Sequence, residues 1–305
     1  MASALTEVSI RTGTTATKYF SQSGMLGDWQ TLHIPFFPFF PATAAGKIRV
    51  FATASRQNVL ANNGAAPAQP VVGEISPLGF TIWARNGDIV GGQACFNWIA
   101  VSEVPDTTPS ELGAVFGLLS PQYFATASKQ GDWNTYSAPI PVSRQVATAT
   151  PVIVASGSNA NVRVHASASV PVVGVAAADR VSITARNSDP GPGLASFYYL
   201  GFLPGLNAPA NLMVDTGRVT PLHFSVGSFK GDWQSWTINF ADHFISPPVV
   251  ILTADNYDGS LLSYSVAAVP MANDVTSFGF TLAARNADVA AGWVSFSWLA
   301  IGHRA

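Results

Sequence analysis

Apolar side chains in this chain recur at every second position over short runs, and Gly, Pro and Asn punctuate the runs. Behind Trp29 they stand at +3, +5 and +7 as Leu32, Ile34 and Phe36. Behind Trp133 the same offsets hold Tyr136, Ala138 and Ile140, and behind Trp233 they hold Trp236, Ile238 and Phe240. A period of two marks a strand with one buried face, because successive side chains of an extended backbone point to opposite sides. Nowhere do apolar residues keep helical spacing for three turns, so an all-β chain is predicted. Further strands are expected over 247–253, 263–269, 279–284 and 293–301. About six strands in roughly 90 residues make a small antiparallel sandwich, since two half-apolar sheets must cover each other.

The pattern occurs three times. Gly-Asp-Trp stands at 27–29, 131–133 and 231–233, with Phe20, Phe124 and Phe224 upstream. Ala-Arg-Asn-x-Asp follows at 84–88, 185–189 and 284–288. Gly92, Gly193 or Gly292 comes next, and then Phe96-x-Trp98, Phe197-x-Tyr199 or Phe296-x-Trp298. Landmarks that keep their order at a period of roughly 100 residues indicate tandem domains, longer than solenoid repeats. The expected units are 18–104, 118–204 and 220–305, after an N-terminal arm at 1–17. The stretches 105–117 and 205–219, rich in Pro, Gly, Ala and Thr, read as surface linkers, and 56–73 as an exposed insertion. Asp28, Asp132 and Asp232 suit a turn, with the following Trp expected as a core anchor because an indole buries so much area.

Charge narrows the function. Lys+Arg number 15 against Asp+Glu 17, so no net field gathers nucleic acid. Only 10% of residues are charged and 48% are hydrophobic, which excludes disorder as the main description. The apolar run 33–41 is broken by proline and too short to span a bilayer, so no membrane insertion is expected. The start lacks the basic and apolar regions of a secretory signal, which predicts a chain made in the cytoplasm and released, if at all, in a particle such as a virion. Catalytic patterns are scarce. The histidines at 33, 165, 223, 243 and 303 are scattered, no nucleophile elbow or phosphate loop occurs, and the single Cys95 lies in a strand. Asp255-Asn-Tyr-Asp-Gly259 reads as a β-turn rather than a calcium loop. No enzyme, metal or cofactor is expected.

The run from Trp233 through Ile238, Phe240, Phe244, Pro248, Val249, Val250, Gly279 and Phe280 to Phe296–Gly302 resembles the H-type lectin domain. Copies one and two share fewer of these positions. The resemblance implies three tandem six-stranded β-sandwiches closing into a pseudo-threefold ring, with N-acetylgalactosamine or related sugars bound in clefts between neighbouring units. It also implies a basic residue facing the sugar, matched by Arg163 alone. The family's Trp-His pair falls on Asn86-Gly87, Asn187-Ser188 and Asn286-Ala287, and its Tyr falls on Gly92, Gly193 and Gly292.

Sugar hydroxyls are neutral, so a lectin needs Asp or Asn acceptors beside a planar apolar surface. The corner loops supply Asn86 and Asp88, Asn187 and Asp189, Asn286 and Asp288. These residues equally suit tight turns, where Asn adopts left-handed conformations and Asp bonds backbone amides. Two functional expectations follow. One is a non-catalytic glycan-binding protein with several weak sites for recognition, adhesion or host attachment. The other is a self-associating structural subunit of a larger particle, such as a phage tail, baseplate or capsid appendage.

Overall fold

A computed structural model of the chain describes residues 9–21, 29–56, 68–86, 91–102, 114–124, 126–127, 130–131, 133–139, 152–158, 169–174, 180–187, 193–202, 212–225, 233–255, 268–286 and 291–304. The first copy contributes β1 (Ser9–Thr14), β2 (Lys18–Phe20), β3 (Trp29–Pro35), β4 (Ile48–Ser55), β5 (Ala68–Ser76), β6 (Gly79–Asn86) and β7 (Gly92–Ser102). The second contributes β8 (Ala114–Phe124), β9 (Thr126–Ala127), β10 (Gln130–Gly131), β11 (Trp133–Pro139), β12 (Val152–Ser158), β13 (Ser169–Val173), β14 (Arg180–Asn187) and β15 (Gly193–Phe202). The third contributes β16 (Leu212–Phe224), β17 (Trp233–Asn239), β18 (Val249–Asp255), β19 (Ala268–Asn273), β20 (Gly279–Asn286) and β21 (Gly292–His303). Apart from one 3₁₀ turn at Ala42–Ala44, the regular structure among the described residues is strand, and the chain is all-β.

The large sheets run β1-β7-β4-β19-β20-β17, β3-β6-β5-β12-β15-β8 and β11-β14-β13-β18-β21-β16, with β2 also on β7. Each takes three strands from one copy and three from another. Pairing is antiparallel within each trio and parallel where trios join, at β4 with β19, β5 with β12 and β13 with β18. The joins link first to second, second to third and third to first, so the copies are tandem β-sandwiches, each of two facing antiparallel trios, joined through mixed sheets into a closed cycle.

Four stretches differ from the sequence reading. Ser9–Thr14 of the expected arm is a strand, as are Ala114–Gly117 and Leu212–Val219 of the expected linkers and Ala68–Gly73 of the expected insertion. The glycines explain two of them. Gly13 and Gly217 pair with Trp98 and Trp298, and a Cβ on either would lie 2.7 Å from the indole. Gly117 pairs with Tyr199 in the same register. Glycine here lets a large ring lie across the neighbouring strand, a close approach that resembles a linker when read as composition.

Alternate side chains of facing trios fill three cores. Phe20, Phe36, Phe80, Phe96 and Trp98 dominate the first, Ile153, Ile183, Phe197 and Tyr199 the second, and Phe224, Phe240, Phe280, Phe296 and Trp298 the third. A fourth cluster joins Phe51 and Ile99, Val154 and Leu200, Ile251 and Leu299, one pair from each copy. Hydroxyls close the same junction. Thr53 Oγ1 accepts from Leu252 N at 3.0 Å and donates to Leu252 O at 3.2 Å. Ser156 Oγ bonds the amide and carbonyl of Ala52 at 3.2 and 3.3 Å, and Thr253 Oγ1 those of Ala155 at 2.7 and 2.9 Å. A second set explains the lone thiol: Cys95 Sγ donates to Ser55 O at 3.2 Å where Ser196 and Ser295 donate to the carbonyls of Ser158 and Asp255. Asp255, expected in a turn, instead ends β18 as a buried carboxylate that accepts from Ser297 Oγ and from Arg218 Nε at 3.0 Å.

Thr53→Val keeps the volume but strands two buried backbone groups, so it should lower unfolding free energy by about 1–3 kcal/mol in denaturant titration. The interlocked sheets predict one cooperative transition rather than three. Burial raises the Tyr198 phenol, offset in part by its hydrogen bond with Ser158 and the Arg49 charge, and burial raises Tyr199. The unfolded chain therefore deprotonates first in alkali. Stability from these groups should be complete below pH 10.0, the ordinary tyrosine value, and fall above it, as denaturant titrations across that range would read.

Candidate functional site

Strands β3, β11 and β17 end the three large sheets, and each pairs with one neighbour. Their registers coincide: Trp29 faces Arg85, Trp133 faces Arg186, and Trp233 faces Arg285. In the first and third copies the side chains at +3, +5 and +7 point inward, so a residue at the origin of that odd series must point outward. Trp233 is accordingly 37% exposed and Trp29 half-buried. The expected core anchors Trp29 and Trp233 are thus outward residues, and Trp98 and Trp298 occupy the interior instead, while the side chain of Trp133 lies outside the described residues.

Each described Trp lies beside its Arg. The Arg85 guanidinium stands 5.9 Å from the Trp29 ring centre, and that of Arg285 stands 5.7 Å from the Trp233 ring centre. These distances permit a weak cation–π contact. A polar stripe continues along the edges of β3 and β17. On β17 the exposed Ser235 and Thr237 follow Trp233, opposite Ala283 and Thr281. On β3 the exposed Thr31 and His33 follow Trp29, opposite Trp83 and Thr81. His33 Nδ1 lies 2.9 Å from Thr81 Oγ1, which donates to Glu74 at 2.7 Å. The nitrogen therefore carries the proton in this arrangement, and Thr81 is held as an acceptor for it.

Of the residues singled out in the corner loops, Asn86, Asn187 and Asn286 end β6, β14 and β20, opposite Ala68, Ser169 and Ala268. Adjacent strand residues face opposite ways, so an outward Arg285 puts Asn286 inward, and its exposure is 0%. Asn286 is an interior group, closed to any ligand in this structure. The side chains of Asn86 and Asn187, and all of Asp88, Arg163, Asp189 and Asp288, lie outside the described residues. The residues that the sequence reading passed over are the outward Trp and Arg. Their signal was available in the offset series, which assigns the Trp to the face opposite Trp236, Ile238 and Phe240.

Identity across the copies adds weight to this face. The inward positions of the first and third copies vary, as Leu32 and Trp236 do, whereas the outward pair is Trp with Arg in both, and the sequence and strand register repeat that pair at Trp133 and Arg186. Packing alone would demand the reverse, because interiors constrain shape and surfaces tolerate exchange.

No family model and no curated protein matches the chain. Among solved structures it is similar to recombinant discoidin II of Dictyostelium discoideum, at 18% identity over 41% of this chain and 50% of that chain, with a TM-score of 0.23. The match thus spans half the length of that protein, and the fold described here rests on its own strand pairing.

Trp233→Ala should cost less than about 1 kcal/mol, because it removes an exposed ring and one weak cation–π contact. Trp298→Ala should cost about 3–5 kcal/mol by emptying the third core. Thermal unfolding of the two variants would reverse the surface assignment if their losses were equal.

Proposed function

We propose that this protein is a non-catalytic, lectin-like carbohydrate binder whose three equivalent edges engage one glycan surface together. The observation that carries the reading is the outward Trp–Arg pair of the first and third copies, repeated in sequence and strand register by Trp133 and Arg186. A pyranose presents a C–H face that packs on an indole, and its hydroxyls need neutral donors and acceptors in a shallow preformed site. The stripe of Ser235, Thr237 and Thr281 is suited to that role. Each edge is weak alone, and a rigid cycle raises the effective concentration at the next.

In this reading the functional units are 18–104, 118–204 and 220–305, and the sugars are N-acetylgalactosamine-type or related. The aromatic surface has moved from the loop positions now held by Gly92, Gly193 and Gly292 to the edge strands. Asp88, Asp189, Asp288 and Arg163 serve as further contacts from the loops. Host or cell-surface attachment is the corresponding biological role.

A second reading, a structural subunit of a phage tail, baseplate or capsid appendage, draws on a different observation. Phe37 is 91% exposed beside the exposed Phe39 and Leu78, and in the third copy Ile245 and Phe278 are likewise open. Monomeric surfaces rarely carry such grouped apolar side chains without a partner. The readings are compatible, because attachment proteins of particles bind both sugar and their own assembly.

A multivalent glycan array should show binding by the natural chain and at least about tenfold weaker binding by the W29A/W133A/W233A variant. Failure to bind any glycan at high display density would remove the lectin reading. Sedimentation separates the second reading: a particle subunit self-associates, and F37S/F39S/L78S should reduce that association.

A further inference from the structure

We infer that the chain assembles with further copies of itself through unlike ends: the apolar, basic end of the first copy docks on the apolar, acidic end of the third copy in another molecule. The inference rests on the particle-subunit reading above and names the partner surface.

The two ends are built from equivalent positions. Strand β3 stops at Pro35 and β17 at Asn239, and the segment after each is held to the turn that precedes β6 or β20. Phe36 N donates to Leu78 O at 2.9 Å and Phe40 N to Pro77 O at 3.0 Å, while Phe240 N and Phe244 N donate to Phe278 O and Ser277 O at 2.9 and 3.1 Å. The backbone under the exposed Phe37, Phe39 and Leu78, and under the exposed Ile245 and Phe278, is therefore fixed by the fold. Apolar side chains on such a base lose little freedom when a partner covers them.

Charge separates the two ends. Arg11 on β1 and Asp215 on β16 hold one register position, opposite Ala100 and Ala300. Arg11 Nε donates to Pro38 O at 3.0 Å, and Asp215 Oδ2 accepts from Ala241 N at 2.7 Å. Those backbone partners are neutral, so each side chain contributes its charge to the field of its end. The half-buried Lys47 adds a cation to the first copy, at a position where the third has Pro247. The exposed Asp242 adds an anion to the third, at a position where the first has Pro38. Glu74 and Asp274 match one another, both with φ of 48°. With Arg49 on the first copy and Arg304 on the third, the described charges remain mainly basic on the first end and mainly acidic on the third.

That difference selects the pairing. Two first-copy ends would set Arg11 and Lys47 against themselves, and two third-copy ends would do the same with Asp215 and Asp242, which costs affinity. An unlike pair covers Phe37, Phe39 and Leu78 with Ile245 and Phe278 and surrounds them with opposite charges. An anionic bilayer would suit the first end and be repelled by the third. The corresponding segment of the second copy, 140–151, lies outside the described residues.

The test is sedimentation velocity of the full chain from about 1 to about 100 µM. The natural chain is expected to associate as its concentration rises, at least about tenfold more weakly when salt is raised to about 0.5 M. K47E and D242K/D274N should each keep the natural unfolding temperature and associate at least about tenfold more weakly alone. Mixed in equal amounts they should associate again, because each altered end then meets an unlike partner. Association that salt and both variants leave unchanged, or a mixture no stronger than its components, overturns the inference; the particle reading stands if F37S/F39S/L78S still weakens it. A natural chain that stays monomeric throughout, or that instead binds vesicles of phosphatidylcholine with phosphatidylserine, overturns both. If a charge variant fails to fold, the salt dependence of the natural chain decides the question.

Discussion

Three hydroxyls at the junction of the copies carry the architecture. Thr53 bonds the backbone at Leu252, Ser156 at Ala52 and Thr253 at Ala155, so each copy satisfies buried polar groups of another. The direct ladder is short there, with two registered pairs at each parallel join. Backbone groups beyond those pairs would otherwise be buried without partners, at roughly 1–3 kcal/mol each. The apolar cluster around Phe51, Val154 and Ile251 closes the same junction, and Met271 and Val172 extend from one copy into the core of another. Interior demand therefore ties the copies together, and no trio of strands completes its sheet alone.

That closure determines where a ligand site can be. The middle of every large sheet is committed to the junction, while β3, β11 and β17 are left at the sheet ends. On β3 and β17 the side chains of the inner faces pack toward the cores, and those of the outer faces meet solvent at equivalent points of the cycle. A feature repeated there is presented three times in a fixed arrangement. Trp29 with Arg85 and Trp233 with Arg285 are such a feature, since they add little to the interior and recur without exchange.

Much of the fold was legible in sequence because its signals are local. Offsets of two at Leu32, Ile34 and Phe36 gave strands, and the ordered landmarks gave three copies. Composition misled where a residue served a distant partner. Gly13 and Gly217 lie beneath Trp98 and Trp298, residues far along the chain, and the stretches around them read as an arm and a linker. Cys95 looked singular until its bond to Ser55 matched those of Ser196 and Ser295. At the site, size suggested that Trp29 and Trp233 were buried, although counting alternate positions assigns them outward. Asn286 beside Arg285 follows the same count inward, which removes it from the candidate ligand contacts.

The sequence by itself determined the strand class, the triplication and, through alternation, which residues could share a face. Those properties depend on the extended backbone and its near neighbours. Only the tertiary structure decided that the sheets run from copy to copy and close on themselves. Pairing between β4 and β19, or a hydroxyl of Thr53 meeting Leu252, joins residues about two hundred positions apart. No local pattern encodes such a meeting, because it is selected by the burial of backbone groups that only the assembled cycle brings together.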